Sequence, residues 1–231
     1  MTSKVMSMGI FGMRSFMVDV EADISGGKFR FDMVGLPDTA VSEAKERVLT
    51  AIKNSGHDFP FNHITVNLAP ADVRKEGSVY DLPIFIAVLI AARQLNDTFK
   101  DAAFLGELSL TGDIRAVNGV LPMVIEAREA GIKRAFVPFE NAGEAAVVEG
   151  IDVYPVKNVK QLLAFFSGNN EALSVLKPEK GIFAEEELSD FAPDFSDVMG
   201  QHAAKRAIEI AAAISSKGLT PLMSGSRSGV D

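Results

Sequence analysis

The sequence contains no cysteine and no tryptophan, and its three histidines, His57, His63 and His202, are scattered. Without cysteine the chain forms no disulfide bond and has no thiolate for catalysis or for metal binding. The spacing of the histidines matches no metal-ligand motif. We therefore predict neither a metal site nor a cysteine-dependent reaction.

The sequence also lacks a long apolar run and an excess of positive charge. Its first residues, MTSKVMSMGIFGMRSF, have no sustained apolar stretch and do not resemble a signal peptide. No segment approaches the roughly 20 apolar residues of a membrane-spanning helix, so we expect a cytoplasmic protein without a membrane partner. The formal net charge of −8 disfavours binding of nucleic acid through overall charge, although it allows a local basic patch.

A third missing feature is a complete phosphate-binding loop. The chain closes on PLMSGSRSGVD, in which Gly225 and Gly229 follow a short apolar segment. A working loop continues with Gly-Lys and then Ser or Thr, whereas Val230 and Asp231 follow Gly229. The lysine that reaches the β- and γ-phosphates and the hydroxyl that holds magnesium are both absent. We therefore predict that this degenerate loop binds no nucleotide cofactor.

What the sequence does contain is an alternation of strand and helix patterns over its first 167 residues. Period-two segments predict strands at 15–21 and 29–34, and AVSEAKERVLTAIKNSG predicts a helix, with Asp38 and Thr39 as candidate N-caps. DLPIFIAVLIAARQL is apolar nearly all round, which predicts a buried helix. Strands and helices then alternate as far as Phe166. The pattern indicates a mixed α/β fold in one domain, residues 1–167.

Two further segments follow this domain. Residues 168–197 are acidic, contain several Pro and Gly residues and have little periodicity, which is typical of a linker. Residues 198–213 return to a strong helical pattern with apolar Ala204 and Ile208. Because an isolated amphipathic helix of this length is marginal in water, we expect another surface to cover it.

The loop before the buried helix, RKEGSVYDLP at residues 74–83, is the best candidate for a functional site. Its glycine and the start of a helix could present free backbone N–H groups to an anion or an oxyanion. The structural alternative, which we favour, is a connection in which Asp81 caps the helix. Arg74 and Lys75 form a small basic point that could contact phosphate or nucleic acid, although a solvated loop is the better interpretation. Ser78 could act as a nucleophile only with a base beside it, and no histidine is an evident partner.

Several longer segments resemble a known family: FDMVGLPDTAVSEAKERVLTAIKNSG, ITVNLAPADVRKEG, KEGSVYDLPIFIAVLIAARQL and FLGELSLTGDIRAVNGVLPMVIEAREAGIKRAFVPFENAGEA. Over about residues 4–166 the chain resembles the N-terminal Lon-protease-like (ChlI-type) domain of the YifB/ComM family of magnesium-chelatase-like AAA+ ATPases. DFSDVMGQHAAKRAIEIAAA resembles the first helix of that family's ATPase domain, so residues 198–231 would be its truncated start. The resemblance implies a Lon proteolytic-domain-like fold followed by a linker.

The resemblance also implies which chemistry is missing. Lon peptidases use a serine in a Gly-Pro-Ser-Ala-Gly loop and a lysine on the helix after a Gly-Gly turn. With Gly77 placed on that loop, Val79 stands at the serine position. With Asn118-Gly119 placed on that turn, Leu121 stands at the lysine position. Neither side chain can attack a carbonyl or accept a proton, so the resemblance implies a chain without a Ser-Lys dyad.

Full-length members of this family are expected to be ATP- and magnesium-dependent hexamers that act on DNA, with branch migration in natural transformation proposed for ComM. The resemblance then implies that this chain is a non-catalytic accessory domain without a cofactor of its own. Its expected partners are DNA, further copies of itself or an AAA+ ring. The alternatives are a stand-alone DNA- or protein-binding oligomerisation module that uses Arg74 and Lys75, and a residual serine hydrolase built on Ser78.

Overall fold

The structure, a computed structural model, describes residues 2–12, 14–59, 61–177 and 200–215. Contacts divide the chain into two compact units, Met1–Ile182 and Phe183–Asp231. The described residues of the first unit alternate between strands and helices, and those of the second unit form helix α6 (His202–Ser215). None of the helices within these ranges is long and apolar enough to cross a membrane.

A seven-stranded mixed sheet is the frame of the first unit. Side by side, its strands are β3 (Arg30–Val34), β4 (His63–Ala69), β2 (Arg14–Ser25), β1 (Thr2–Phe11), β5 (Ala102–Phe104), β8 (Arg134–Pro138) and β9 (Asp152–Val156). β2 runs antiparallel to both β1 and β4, and the other neighbouring pairs are parallel. A separate hairpin pairs β6 (Glu107–Leu108) with β7 (Ile114–Arg115).

Within the described part of the first unit, five α-helices accompany the sheet: α1 (Thr39–Asn54), α2 (Asp81–Ala91), α3 (Val120–Glu129), α4 (Ala142–Ala145) and α5 (Val159–Phe166). All side chains of α2 are buried, and the helix packs against β1, β2 and α1, which confirms the predicted buried helix. α3 packs against the same two strands. The mixed α/β fold predicted from the alternation of elements is therefore confirmed.

Helix α1 begins where its sequence predicts. Asp38 has an extended backbone, and its Oδ1 accepts a hydrogen bond from the Val41 N–H at 2.7 Å. This is the N-cap interaction, which satisfies one of the free N–H groups of the first turn. The apolar positions Val41, Ala44, Val48 and Ile52 are all buried, as their helical spacing predicts.

The central strand β1 is absent from the sequence-based prediction. Its inward-facing positions include two serines where an alternating pattern requires apolar residues. The structure shows why serine is tolerated there: Ser3 Oγ donates to the Ala87 carbonyl at 2.7 Å, and Ser7 Oγ donates to the Phe104 carbonyl at 3.0 Å. These hydrogen bonds tie β1 to α2 and to β5, and they compensate for the burial of both hydroxyls.

The first unit extends beyond the boundary predicted at residue 167. Leu173 is buried, Gln161 Nε2 donates to the Ala172 carbonyl at 2.8 Å, and the Leu176 N–H donates to the Val153 carbonyl at 2.9 Å. Residues 168–177 therefore pack on the domain instead of beginning a linker, because they supply an apolar side chain and backbone partners to it. The rest of the predicted linker, 178–197, and the loop glycines Gly225 and Gly229 lie outside the described residues.

Candidate functional site

The loop before α2 forms one wall of an open cleft. The turn that leads into α3 forms the opposite wall, and the β6–β7 hairpin and the end of β1 complete the boundary. The cleft has a volume of about 510 Å³. Its lining residues are Ile10, Glu76, Gly77, Ser78, Val79, Glu107, Ala116, Val117, Asn118, Gly119 and Met123. The structure therefore brings together the two segments that the Lon resemblance pairs, residues 77–79 and 118–119.

Backbone hydrogen bonds fix the first wall. The Gly106 N–H donates to the Val79 carbonyl at 3.1 Å, and the Leu82 N–H donates to the Gly106 carbonyl at 3.0 Å. At the other end of the loop, the Gly77 N–H donates to Asp38 Oδ2 at 3.2 Å. The same carboxylate thus caps α1 and holds the loop, which fixes the position of the loop relative to α1.

The opposite wall is fixed by an asparagine and a glycine. Asn141 Oδ1 accepts from the Val117 N–H at 2.9 Å, and Asn141 Nδ2 donates to the Val117 carbonyl at 3.0 Å. Gly119 has a φ of 79°, in the left-handed region that favours glycine. A Cβ at this position would overlap Ile10 Cδ1. The turn therefore favours glycine for its backbone conformation, and a larger residue would also displace the end of the Ile10 side chain.

Asp81, expected to cap α2, has a different role. Its carboxylate is fully buried and accepts from Arg47 Nε at 2.6 Å, from Arg47 Nη2 at 3.0 Å and from the Leu108 N–H at 3.0 Å. α2 has Tyr80 as its N-cap residue and no capping hydrogen bond from a side chain. The capping prediction is wrong because a two-pronged ion pair with α1 uses the oxygens that a cap would need.

The Arg47–Asp81 pair links three elements beneath the cleft: α1, the start of α2 and strand β6. Burial raises the pKa of the Asp81 carboxyl, and the hydrogen bonds from Arg47 and from the Leu108 N–H oppose this change. The hydrogen bond with Asp81 raises the pKa of the Arg47 guanidinium, so Arg47 is a permanent cation. The pair satisfies its charges internally and takes no part in the cleft surface.

Lys75 is also buried, contrary to the interpretation that it belongs to a basic surface patch. Its Nζ donates to the carbonyl oxygens of Pro70 and of Val73, the latter at 2.8 Å. Burial lowers the pKa of this ammonium group. The expectation of a phosphate or nucleic-acid contact through Lys75 is wrong because the ammonium group faces carbonyls inside the protein. Only Arg74 of the predicted basic point remains exposed, with Nε 3.7 Å from Glu76 Oε1.

Ser78 lies on the cleft wall beside a carboxylate. Its Oγ donates a hydrogen bond to Glu107 Oε2, and Arg115 Nη1 lies 3.5 Å from Glu107 Oε1. The hydrogen-bonded partner of Ser78 is therefore an anion, and no histidine or lysine side chain contacts this hydroxyl within the described ranges. A serine nucleophile needs a base that can take its proton. Among the described residues, this hydroxyl therefore has a carboxylate beside it in place of the lysine of a Ser-Lys dyad.

The positions that correspond to the peptidase dyad are apolar in this chain. Val79 lines the cleft and is almost completely buried, and Leu121, in the first turn of α3, packs partly buried against the core. The adjacent Tyr80 is buried, and that burial raises the pKa of its phenol, so Tyr80 is neutral at physiological pH. None of these three side chains can provide a general base at neutral pH.

The charge of the cleft is negative. Among its lining residues, Glu76 and Glu107 carry charge and no lysine or arginine is present. Each carboxylate has an arginine beside it outside the lining, Arg74 at 3.7 Å from Glu76 and Arg115 at 3.5 Å from Glu107, which offsets part of this negative charge. Within the described part of the chain, no group of three His, Asp or Glu side chains could hold a metal ion. The lining itself therefore offers no cationic side chain to an anion, in contrast to the anion-binding loop considered from the sequence.

Sequence reasoning did not identify three residues that shape the site: Arg47, Glu107 and Asn141. Arg47 carries a detectable signal, because it lies three residues after buried Ala44 and interrupts the apolar stripe of α1. A charge in such a stripe indicates a buried partner of opposite charge. Glu107 and Asn141 carry no such signal, since their partners lie 29 and 24 residues away in the chain.

Comparison with known proteins identifies relatives over most of the chain. The protein family described as subunit ChlI of Mg-chelatase matches residues 20–141. Competence protein ComM of Haemophilus influenzae is 37% identical over 213 residues, which cover 90% of this chain and 41% of ComM. The uncharacterized protein YifB of Escherichia coli is 39% identical over 212 residues, which cover 91% of this chain and 40% of YifB. The chain thus spans about two-fifths of the length of these curated relatives.

A more distant similarity connects the same region to peptidases. The Lon protease of Buchnera aphidicola subsp. Schizaphis graminum is 23% identical over 159 residues, which cover 64% of this chain and 20% of the protease. This match agrees with the Lon-like arrangement of elements inferred from the sequence.

Proposed function

This chain belongs to the Mg-chelatase ChlI family, in the branch that contains ComM and YifB, and we propose that its first 177 residues are a non-catalytic, Lon-like accessory domain of an AAA+ protein. The domain binds and positions other groups without transforming them. The ATP and magnesium that serve the family would act in an ATPase domain and not in this cleft.

The observation that carries this proposal is the composition of the cleft. Val79 stands where a peptidase would place its nucleophile, and the neighbouring Ser78 donates its proton to Glu107 in a hydrogen bond. The buried Arg47–Asp81 pair beneath the cleft holds the walls in place and has no free charge for chemistry. A shaped cleft without a Ser-Lys dyad supports a binding or assembly role.

We base a more specific role, in DNA processing, on the relative ComM. ComM is a competence protein by name, and a role in ATP-driven DNA branch migration during natural transformation would need a ring of subunits that encloses DNA. The accessory domain would then contribute to ring assembly or would guide DNA. Of the two predicted basic residues, only Arg74 could contact DNA, because Lys75 is buried, and Glu76 beside Arg74 weakens that contact.

A domain exchange tests this proposal. Haemophilus influenzae ComM would carry residues 1–177 of this chain in place of its matching region, and natural transformation and ATP turnover would be measured in parallel. We expect the chimera and its Ser78→Ala variant to retain both activities. An Asp81→Ala chimera should lose transformation, because the substitution leaves Arg47 buried without its partner. ComM without the domain should fail in transformation.

Each alternative has its own outcome in the same experiment. Loss of transformation in the Ser78→Ala chimera, with ATP turnover intact, would indicate the residual hydrolase instead. Loss of DNA-stimulated ATP turnover in an Arg74→Glu chimera, with an Arg93→Glu chimera unaffected, would favour the DNA-binding module. Normal transformation by ComM without the domain would contradict the accessory role altogether.

A further inference from the structure

The two edges of the seven-stranded sheet are protected to different degrees. On β9, Pro155 has no N–H to offer, and the Leu176 N–H already occupies the Val153 carbonyl. On β3, no strand pairs with the outer side of residues 30–34 anywhere in the described part of the chain. An unpaired edge presents backbone donors and acceptors in a row, and it is a template for pairing with another strand.

The side chains of β3 divide into an apolar face and a charged face. Phe31 and Met33 pair in register with Ile64 and Val66 of β4, whose side chains are buried on the helix-covered face. Arg30 and Asp32 therefore lie on the opposite face, where Arg30 Nε donates to Asp32 Oδ1 at 2.7 Å and His63 Nε2 lies 2.8 Å from Asp32 Oδ2. The remaining N–H groups of the guanidinium have no hydrogen-bond partner among the described residues, so they are free to bind a second carboxylate.

Apolar side chains at both ends of β3 are unusually exposed for a strand edge. Phe29, just before the strand, is 42% exposed and its ring contacts Phe59 with a centroid distance of 5.3 Å. Val34, at the other end, is 46% exposed. These groups would be protected from water if a further strand lay beside β3.

We propose that two copies of this chain associate through antiparallel pairing of their β3 strands, centred on Phe31. In this register Arg30 of each copy lies directly opposite Asp32 of the other copy, on the charged face. Phe29 lies opposite Met33 on the apolar face. Directly opposite residues of an antiparallel pair share one face and interact, so both faces are complementary at once.

The charges of Arg30 and Asp32 favour this register and a second copy of the chain as the partner. Pairing centred on Asp32 would place two carboxylates opposite each other, which is destabilising. A second copy supplies Arg30 and Asp32 in the reverse order, and the two-fold axis forms each favourable pair twice. Such an interface closes on itself and gives a dimer. The association uses the first unit alone and does not depend on the proposed accessory function.

The absence of cysteine allows a direct test by disulfide cross-linking. Arg30→Cys and Asp32→Cys proteins would be mixed under mild oxidation, since their cysteines face each other in the proposed register while one native Arg30–Asp32 pair is kept. We expect several-fold more cross-linked dimer from the mixture than from either variant alone. Asp152→Cys, on the opposite edge of the sheet, is the matched control and should not cross-link.

Sedimentation measures the same contact without cysteine. The wild-type chain of 24.8 kDa should approach twice that mass as concentration rises. Arg30→Asp should weaken the dimer about tenfold, because two attractive cross-strand pairs become repulsive. The double variant Arg30→Asp with Asp32→Arg restores both pairs and should restore the dimer, which separates the interface from any effect on folding.

Several results would overturn this inference. A wild-type chain that stays monomeric at the highest attainable concentration would exclude the dimer. Efficient cross-linking of Asp32→Cys alone would show a different register, and cross-linking of Asp152→Cys would show a different edge. A dimer that Arg30→Asp leaves unchanged would show that β3 is not the interface, so that another part of the chain or a different partner strand covers this edge.

Discussion

The polar groups at the cleft form a buried layer and an exposed rim, and the two layers are built differently. In the buried layer, Asp81 accepts hydrogen bonds from the Arg47 guanidinium and from a backbone N–H, and Lys75 donates to backbone carbonyls. On the rim, Ser78 and Glu107 share one hydrogen bond, and Arg115 is mostly exposed at 3.5 Å from Glu107. The difference indicates that the buried layer sets the shape of the cleft and that the rim is available for binding.

The physical reason is the cost of desolvation. A buried charge that loses its partner cannot recover the lost interaction from water, whereas an exposed charge can. Substitutions in the two layers should therefore differ in their effect on stability by several-fold. The following three experiments test this comparison on the free energy of unfolding, from the largest expected effect to the smallest.

Removal of Asp81 should have the largest effect. Asp81→Ala leaves the Arg47 guanidinium and the Leu108 N–H without their acceptor, and we expect a loss of about 3–5 kcal/mol in the free energy of unfolding. Urea denaturation followed by circular dichroism measures it. Asp81→Asn should lose less, because an amide oxygen still accepts one hydrogen bond. A loss below about 1 kcal/mol for Asp81→Ala would show that this layer does not stabilise the fold.

Replacement of Lys75 should have an intermediate and pH-dependent effect. Lys75→Met leaves the Pro70 and Val73 carbonyls unpaired, which should cost about 1–3 kcal/mol. Because burial lowers the pKa of Lys75 in the folded state, the unfolded chain binds more protons between this lowered pKa and the ordinary value of 10.5. Wild-type stability relative to the variant should therefore rise as the pH increases through this range.

The pH series provides its own control, since all other groups titrate alike in the two proteins. A wild-type advantage that shrinks as the pH rises would contradict the buried, desolvated state of the ammonium group. A constant advantage would show that the lysine titrates identically in the folded and unfolded chains.

Substitution on the rim should have the smallest effect. Ser78→Ala removes one hydrogen bond to a partly exposed carboxylate, and we expect a loss of about 0.5–1 kcal/mol. Arg115→Ala, the matched rim control, should change stability by no more than about 0.5 kcal/mol. Thermal unfolding of the wild type, Ser78→Ala and Arg115→Ala, measured side by side, gives these differences in stability. A rim variant as unstable as Asp81→Ala would remove the distinction between the layers.

Local sequence patterns predicted the parts of the fold that depend on neighbouring residues. Asp38 begins α1 as expected, because an N-cap bonds to a backbone group three residues away. The apolar content of α2 predicted its burial. β1 was missed because Ser3 and Ser7 are buried, and the carbonyls that accept their protons belong to residues 84 and 97 positions further along the chain.

The dependence on partners far away in the chain also explains which predictions failed at the candidate site. The resemblance to the YifB/ComM family placed residues 77–79 and 118–119 in related roles, and the structure brings them to one cleft. The assignments of Asp81 as a cap and of Lys75 as a surface cation were wrong. Both are local interpretations of a charged residue in a loop, and in both cases a partner contributed by the fold decided the role.

The sequence by itself determined the family, the mixed α/β class and the lack of cysteine chemistry, because these depend on composition, on periodicity and on the order of residues. Only the tertiary structure decided which charges are internal and which face the cleft, and which edge of the sheet is unpaired. The reason is physical: the state of a charged or hydrogen-bonding group depends on its solvation and its partner, and here both come from residues far away in the chain.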